Sequence, residues 1–209
     1  MGNSKITSVV LDVTMSTKGP YKKGYPEGAV VHFTAGRSSR GDFDAISSIK
    51  YGAEKGYAYL CISKTGRVYQ AHDIDQWGYH AGESFWPGVG PSVSKNLIGI
   101  EICCSGMLSE KLETWYGDKV SKDNSRRVVA YDDNRVPGNY EKFSPEQEEG
   151  LIKLLLELKR GNPDVFSFER VLGHDEVSPG RKCDPGGSLS MSMQKFRELL
   201  KERYSAESI

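Results

Sequence analysis

The sequence predicts one α/β domain with a central mixed β-sheet flanked by α-helices. Three observations support this fold class: short segments rich in β-branched and aromatic residues, amphipathic segments with helical spacing between and after them, and a length of 209 residues. A chain of that length buries roughly 70% of the surface that its unfolded form exposes, which suffices for one substantial core. Residues 1–209 are therefore expected to form a single domain.

Five segments have the composition of β-strands. Each is short, is rich in β-branched or aromatic residues, and is bounded by glycine, proline or asparagine. They cover residues 6–14, 28–36, 57–66, 66–72 and 96–104. Because helical segments are interleaved with them, one mixed sheet is predicted.

Three segments predict α-helices. Residues 42–56 place apolar side chains at helical spacing and end in a glycine, which often stops a helix. Ser144–Gln147 form a capping box with Pro145 at the first helical position, so a helix is predicted from there to Gly161. A last amphipathic segment covers about residues 191–204.

The segment from about residue 105 to residue 142 fits this scheme poorly. It is polar, rich in lysine, aspartate and arginine, and it contains the turn-like stretch Val136–Asn139. We interpret it as a long surface insertion. Such segments tend to be functional lids or disordered, and the sequence leaves both open.

Composition argues against several classes of partner. Lysine and arginine total 28 and aspartate and glutamate total 28, so bulk charge favours neither nucleic acid nor an anionic membrane. No apolar run is long enough to span a bilayer, and the first residues lack the pattern of a signal peptide. We expect a soluble monomer that is made in the cytoplasm and recognises its ligand locally.

The four cysteines predict neither a disulfide framework nor a zinc knuckle, because none are spaced C-x-x-C and two are adjacent. Reduced thiols are expected. Cys61 and Cys103 lie in apolar runs, where a thiol usually behaves as a small buried hydrophobe. Cys183 lies instead among polar and charged residues.

Two strand residues stand out chemically. Alternation puts His32 on one face of its strand with Val30 and Thr34, and a lone histidine there is more often a hydrogen-bonded core residue than a ligand. Glu101 shares a face with Gly99 and is flanked in sequence by isoleucines. A buried carboxylate costs several kcal/mol unless a cation, a donor or a metal-bound water compensates, so Glu101 needs a partner.

The stretch GHDEVSPGRKCDPGG, residues 173–187, gathers His174, Lys182, Cys183 and Asp184 in a segment rich in proline and glycine. Two histidines and one carboxylate form a ligand set that leaves a fourth zinc position open. Ordinary turns with polar decoration are the alternative, and spacing alone leaves the choice open.

Four motifs in order carry a family resemblance: HFTAG at His32, YHAG at His80, NLIGIE ending at Glu101, and GHDEVSPGRKCDPG. Together they resemble the zinc-dependent N-acetylmuramoyl-L-alanine amidases, a superfamily that includes AmpD-like recycling amidases, phage endolysins and peptidoglycan recognition proteins. The motifs span about Gly28 to Gly187. The resemblance implies that residues 1–209 are one amidase catalytic domain with an insertion at about 105–142.

The resemblance also implies roles for individual residues. The ligands of one zinc ion per chain would be His32, His174 and Asp184, and the catalytic pair would be Glu101 and Lys182. The substrate would be peptidoglycan or a muropeptide, cut between N-acetylmuramic acid and L-alanine. His80 is expected to bind substrate in a sugar–peptide groove.

Several alternatives accompany these expectations. The aromatic residues Trp77, Tyr79, Phe85 and Trp86 either line the same groove or pack beneath loops, and His72 is expected at the surface.

Cys183 competes with Asp184 as third ligand. Asp184 is favoured because an extended chain points residues 182 and 184 to the same side. Relatives commonly carry histidine at the position of Tyr59, and some carry a catalytic tyrosine at that of Ala58, so Glu101 is expected to act without that tyrosine.

Three function classes follow. The first is a zinc amidase, either a phage endolysin that acts on the bacterial cell wall after release or a cytoplasmic recycling enzyme; the long insertion favours the endolysin. The second is a non-catalytic peptidoglycan-binding protein of the same fold, which would typically lack a zinc ligand. The third is a cysteine hydrolase that uses Cys183, for which only Lys182 suggests an activated thiolate.

Overall fold

The computed structural model describes residues 6–131 and 135–207 and confirms the predicted α/β class. Its core is a six-stranded mixed sheet with helices packed on it. In chain order the strands and helices are β1 (Val9–Val10), β2 (Gly28–Phe33), α1 (Asp42–Lys55), β3 (Leu60–Ile62), β4 (Val68–Gln70), β5 (Phe85–Trp86), β6 (Gly90–Pro91), β7 (Leu97–Ile102), β8 (Met107–Leu108), β9 (Ser125–Val128), β10 (Gly138–Glu141), α2 (Pro145–Gly161), β11 (Val171–Gly173), α3 (His174–Val177) and α4 (Met193–Ala206).

The main sheet has the strand order β1-β4-β3-β7-β2-β11. Only the β3–β4 hairpin is antiparallel among these pairs, and the other neighbours run parallel. The strand predicted over residues 6–14 was too long. Only Val9 and Val10 pair, at the edge of the sheet, and both side chains are exposed.

The helices α1 and α2 begin and end close to the positions that the sequence predicts. The helix α2 begins with the predicted capping box, in which the Ser144 side chain accepts from the Gln147 N–H and the Gln147 side chain accepts from the Ser144 N–H. Gly56 ends α1 in the left-handed conformation that favours glycine. None of the helices in residues 6–131 and 135–207 is long and apolar enough to cross a bilayer.

Strand alternation separates a packed face of the sheet from a functional one. Ile98, Ile100 and Ile102 of β7 join the cluster formed with α2 and α4. On the opposite face, α1 packs over β3 and β4 in a second cluster that includes Cys61 and Cys103. Both thiols are free and buried, as predicted. Farther along this second face, β2 and β7 pair side by side and place His32 opposite Glu101.

The segment 105–142 carries regular structure that the sequence did not predict. Its strands form a second, antiparallel sheet in the order β8-β10-β9. This sheet packs on the 3-10 turn Gly186–Ser188, where Arg126 Nη1 donates to the Gly187 carbonyl at 2.9 Å. It therefore supports the chain that follows Asp184, the predicted third ligand.

Adding one methyl group at Gly187 tests this support. A Cβ there would lie 2.5 Å from Tyr140 Cδ2 and 2.8 Å from Val128 Cγ2, both in the second sheet. We expect Gly187→Ala to lower the free energy of unfolding by about 1–3 kcal/mol through overpacking. Thermal unfolding measures this, with Gly36→Ala as the control, because its Cβ would meet its nearest atom at 3.6 Å. Equal melting temperatures for the two variants would contradict the packing argument.

Candidate metal centre and active site

Three buried side chains converge on the open part of the second face of the main sheet. His32 lies near the end of β2, and His174 begins α3 directly after the neighbouring strand β11. Asp184 comes from the turn-rich loop that the second sheet supports. Their exposed fractions are 2%, 3% and 6%, so all three are shielded from bulk water.

The ligand atoms of these residues form a small triangle. His32 Nδ1 lies 3.0 Å from His174 Nδ1 and 3.0 Å from Asp184 Oδ2, and His174 Nδ1 lies 2.9 Å from Asp184 Oδ2. Ligands of a tetrahedral zinc ion, at about 2.0–2.1 Å from the metal, are separated by about 3.3 Å. The spacing therefore suits a single small cation.

Hydrogen bonds on the far side of each ring determine which nitrogen carries the proton. His174 Nε2 lies 2.9 Å from the Ala81 carbonyl oxygen, which can only accept, so Nε2 is the donor and Nδ1 keeps its lone pair. His32 Nε2 contacts His80 Nδ1 at 3.0 Å, while His80 Nε2 lies 2.9 Å from the Leu97 carbonyl oxygen. By the same logic His80 donates to Leu97 and accepts from His32.

The result is three acceptors that face one another without a proton between them. Two imidazole lone pairs and one carboxylate repel in a buried site unless a cation lies among them. Burial, reinforced by nearby His174, lowers the pKa of His32 to about 4, so its ring is neutral at pH 7. The two Nδ1 lone pairs and the Asp184 carboxylate therefore form a suitable set of ligands for a metal ion.

Glu101 lies beside this triangle and has a buried carboxylate oxygen. Its Oε2 is buried and has no hydrogen-bond partner among residues 6–131 and 135–207. Burial, with a further contribution from Asp184, raises the pKa of Glu101 to about 8, although Lys182 opposes the shift. A carboxyl group with that pKa can both take up and release a proton near neutral pH.

Lys182 and Cys183 line the same cleft, which has a volume of about 660 Å³. Cys183 is not part of the ligand triangle, and burial raises the pKa of its thiol to about 11. A thiol that is harder to ionise than usual is a poor nucleophile at neutral pH. A groove of about 710 Å³ between β1 and α2 is larger, but it is lined by residues such as Asp42, Arg67 and Glu157 and lies away from the triangle.

The other residues predicted to line the substrate groove, His80 and the four aromatic residues, differ in their positions. Both ring nitrogens of His80 contact protein atoms, although its ring lines the cleft. Of the four aromatic residues, Tyr79 lines the cleft, Phe85 is 59% exposed, and Trp77 and Trp86 pack against core clusters.

The expected surface position of His72 was wrong. This residue is 8% exposed, and its Nδ1 lies 2.8 Å from the Asp73 carbonyl oxygen. Its place at a strand end suggested exposure, but packing around the strand buries the ring.

Tyr59, at the position where the resemblance implies a histidine in relatives, has a structural contact. Its hydroxyl donates to the Ser48 carbonyl of α1 at 2.5 Å, and the side chain is 5% exposed. The hydroxyl therefore ties the sheet to α1. The Ala81 carbonyl lies in the YHAG motif, but as a backbone group it leaves no side-chain pattern by which the sequence could identify it.

Comparison with known proteins gives the family context. A family model described as N-acetylmuramoyl-L-alanine amidase matches residues 22–187, a range that includes every residue of the triangle and Glu101. A search of curated proteins found no match.

Solved structures share the fold at low identity. A crystal structure of AmpD is 18% identical with a TM-score of 0.58, and the match covers 95% of this chain and 98% of that one. The endolysin LysCS from Clostridium intestinale is 19% identical with a TM-score of 0.55, covering 95% and 98%. AmpDh3 from Pseudomonas aeruginosa, solved with an anhydromuramic pentapeptide, is 20% identical with a TM-score of 0.58, covering 94% and 67%.

Proposed function

The chain belongs to the N-acetylmuramoyl-L-alanine amidase family, and from this premise we propose that it is a zinc-dependent endolysin that cuts peptidoglycan. The bond hydrolysed is the amide between N-acetylmuramic acid and L-alanine. The convergence of His32, His174 and Asp184 beside the unpaired Glu101 carries the proposal. We also propose that residues 1–209 form one catalytic domain, with the segment 105–142 as an insertion.

The metal would be held by His32 Nδ1, His174 Nδ1 and an Asp184 carboxylate oxygen. When bound, zinc supplies Lewis acidity, which polarises a carbonyl and lowers the pKa of water to about 7. Nitrogen and oxygen ligands in this number are typical of catalytic zinc sites, which keep one position open.

Glu101 acts as the general base and then as the general acid. Its buried carboxylate takes a proton from the attacking water, and it then delivers that proton to the departing nitrogen of L-alanine. The raised pKa favours the second step, because a weakly acidic carboxyl group holds the proton until the amine needs it. Because the resemblance places a catalytic tyrosine of some relatives at the position of Ala58, we propose that Glu101 acts here without that tyrosine.

Lys182 stabilises negative charge on the substrate. It lines the cleft with Glu101, and its charge partly opposes the rise that burial causes in the pKa of that carboxyl group, so the two side chains interact electrostatically. A cation placed there favours the oxyanion that forms when the amide carbonyl is attacked.

Two features favour the endolysin over a recycling enzyme for small muropeptides. The chain between β8 and β9 reaches the edge of the cleft, where Trp115 Nε1 donates to the carbonyl of cleft residue Ala35 at 2.6 Å. The indole of Trp115 is held in place yet 76% exposed, which offers an apolar surface beyond the reacting bond. A polymeric substrate would reach it, whereas a single muropeptide would extend less far.

The alternatives have less support. A binding protein of this fold would typically lack a metal ligand, and all three are present here. A cysteine hydrolase would need an activated thiolate, but burial raises the pKa of Cys183.

Release of stem peptides from purified sacculi tests the proposal. We expect new N-terminal alanine to appear, to vanish after treatment with a chelator, and to return when zinc is added, because the reaction needs the cation at the triangle. The same assay on a small muropeptide separates lysis from recycling: faster cleavage per bond in sacculi supports the endolysin. Zinc binding at one per chain without alanine release would leave a binding protein, and chelator-insensitive but alkylation-sensitive release would indicate the cysteine hydrolase.

A further inference from the structure

We propose that His80 and Ala81 form an outer clamp that holds both histidine ligands in the tautomer required for metal binding. His80 is then a positioning residue rather than a residue that binds substrate. This inference rests on the proposed metal site, but its test reads metal affinity and ring tautomers rather than hydrolysis.

The first half of the clamp is a chain of hydrogen bonds across two rings. The Leu97 carbonyl oxygen can only accept, so the His80 ring donates to it from Nε2 and leaves Nδ1 as an acceptor. His80 Nδ1 lies 3.0 Å from His32 Nε2 and therefore accepts a hydrogen bond from that N–H. His32 Nδ1 is left with the lone pair that faces the triangle. A backbone carbonyl on β7 thus determines, through His80, the tautomer of a ligand on β2.

The second half uses the next residue in the chain. The Ala81 carbonyl accepts from His174 Nε2 at 2.9 Å and leaves His174 Nδ1 free for the metal. Arg181 Nη2 donates to the same carbonyl at 2.7 Å and so holds it in place. One dipeptide therefore orients two ligands that come from different elements, β2 and α3.

The sheet is shaped to receive the His80 ring. A Cβ at Gly99 would lie 2.6 Å from His80 Cγ, so a side chain at this position of β7 would displace the ring. Below the ring, the Ser94 hydroxyl accepts from the Ala81 N–H at 3.1 Å and anchors the dipeptide. These contacts give roles to the His80 ring, to the backbone of Ala81 and to Gly99, which the catalytic roles alone leave unexplained.

Paired substitutions test the clamp. His80→Leu removes the acceptor for His32, whereas His80→Asn places Oδ1 close to the position of Nδ1 and restores it. We expect His80→Leu to weaken zinc affinity about 10-fold to 100-fold in a chelator competition, as for other outer-shell partners, and His80→Asn to recover most of that loss. His72→Leu is the matched control, because it removes a buried histidine outside the triangle and should leave zinc affinity unchanged.

Nitrogen-15 NMR of the metal-free protein provides the second readout, because a metal on Nδ1 would itself fix the proton on Nε2. In the wild type and in His80→Asn, the His32 ring should carry its proton on Nε2, and in His80→Leu that single tautomer should be lost. The inference is overturned if His80→Leu binds zinc as tightly as the wild type, or if Leu and Asn weaken binding equally. A wild-type protein that binds no zinc would refute the proposed metal enzyme itself, which is a separate outcome.

Discussion

Replacing Glu101 with glutamine should reduce kcat for alanine release by about 10²-fold to 10⁴-fold while zinc remains bound at one per chain. The amide keeps the shape of the side chain but cannot take up the proton of the attacking water. The ligand triangle is formed without Glu101, so metal content should not change. Measuring kcat together with zinc stoichiometry on the same sample separates loss of the base from loss of the metal.

The same variant should change how stability depends on pH in the metal-free protein. The pKa of Glu101 is raised to about 8 in the folded protein, whereas glutamate in an unfolded chain has a pKa of about 4.3. The folded state therefore holds a proton that the unfolded state releases between these pH values. The stabilisation of the wild type from this group is complete below about pH 4.3 and is lost as the pH rises towards 8.

Glutamine has no such dependence, so the chelated Glu101→Gln protein should gain a few kcal/mol relative to the wild type between pH 5 and pH 8. Thermal unfolding of both chelated proteins at the two pH values measures the gain. The informative quantity is the change in the stability difference between pH 5 and pH 8. The buried amide of glutamine has its own effect on stability, but that effect is the same at both pH values. If the stability of both proteins depends on pH in the same way, the pKa of Glu101 is not raised by burial. If kcat is unchanged in the variant, Glu101 is not the general base.

Much of the site follows from local rules in the sequence. Strand alternation places His32 and Glu101 on one face, and the pairing of β2 with β7 brings them opposite each other. The proline and glycine residues after Val177 indicate irregular chain, which returns Asp184 to a site held by two histidines. These features depend on residue type and near neighbours, so sequence suffices to predict them. The short helix α3 at His174–Val177 was not expected in this stretch, so that part of the expectation was wrong.

Other features depend on contacts between distant parts of the chain. The second sheet forms because β8 and β9 both pair with β10, and the polar composition of the segment 105–142 conceals this pairing. The position of His80 depends on Leu97, 17 residues farther along, and on space above Gly99. A family motif marks such a residue as significant, but only the folded chain distinguishes a group that contacts substrate from one that orients a ligand.

Asp184→Asn should weaken zinc binding by at least about 10²-fold, whereas Cys183→Ser should leave it unchanged. Structural zinc sites with four ligands bind with about 10–16 kcal/mol, so one ligand accounts for roughly 3 kcal/mol, and every 1.4 kcal/mol is tenfold. Asparagine keeps the size of Asp184 but removes the anion that lies 3.0 Å and 2.9 Å from the two histidine nitrogens.

The two variants decide between neighbouring candidates for the third ligand. Cys183 lines the cleft but lies outside the triangle, and its raised pKa means that a metal would have to displace a firmly held proton. Asp184 already places a carboxylate oxygen in the triangle, 3.0 Å and 2.9 Å from the two histidine nitrogens. Competition with a chromophoric chelator at pH 7 measures both affinities. If the cysteine variant loses zinc and the asparagine variant keeps it, the thiolate is the ligand, and the triangle of two histidines and Asp184 must be abandoned as the metal site.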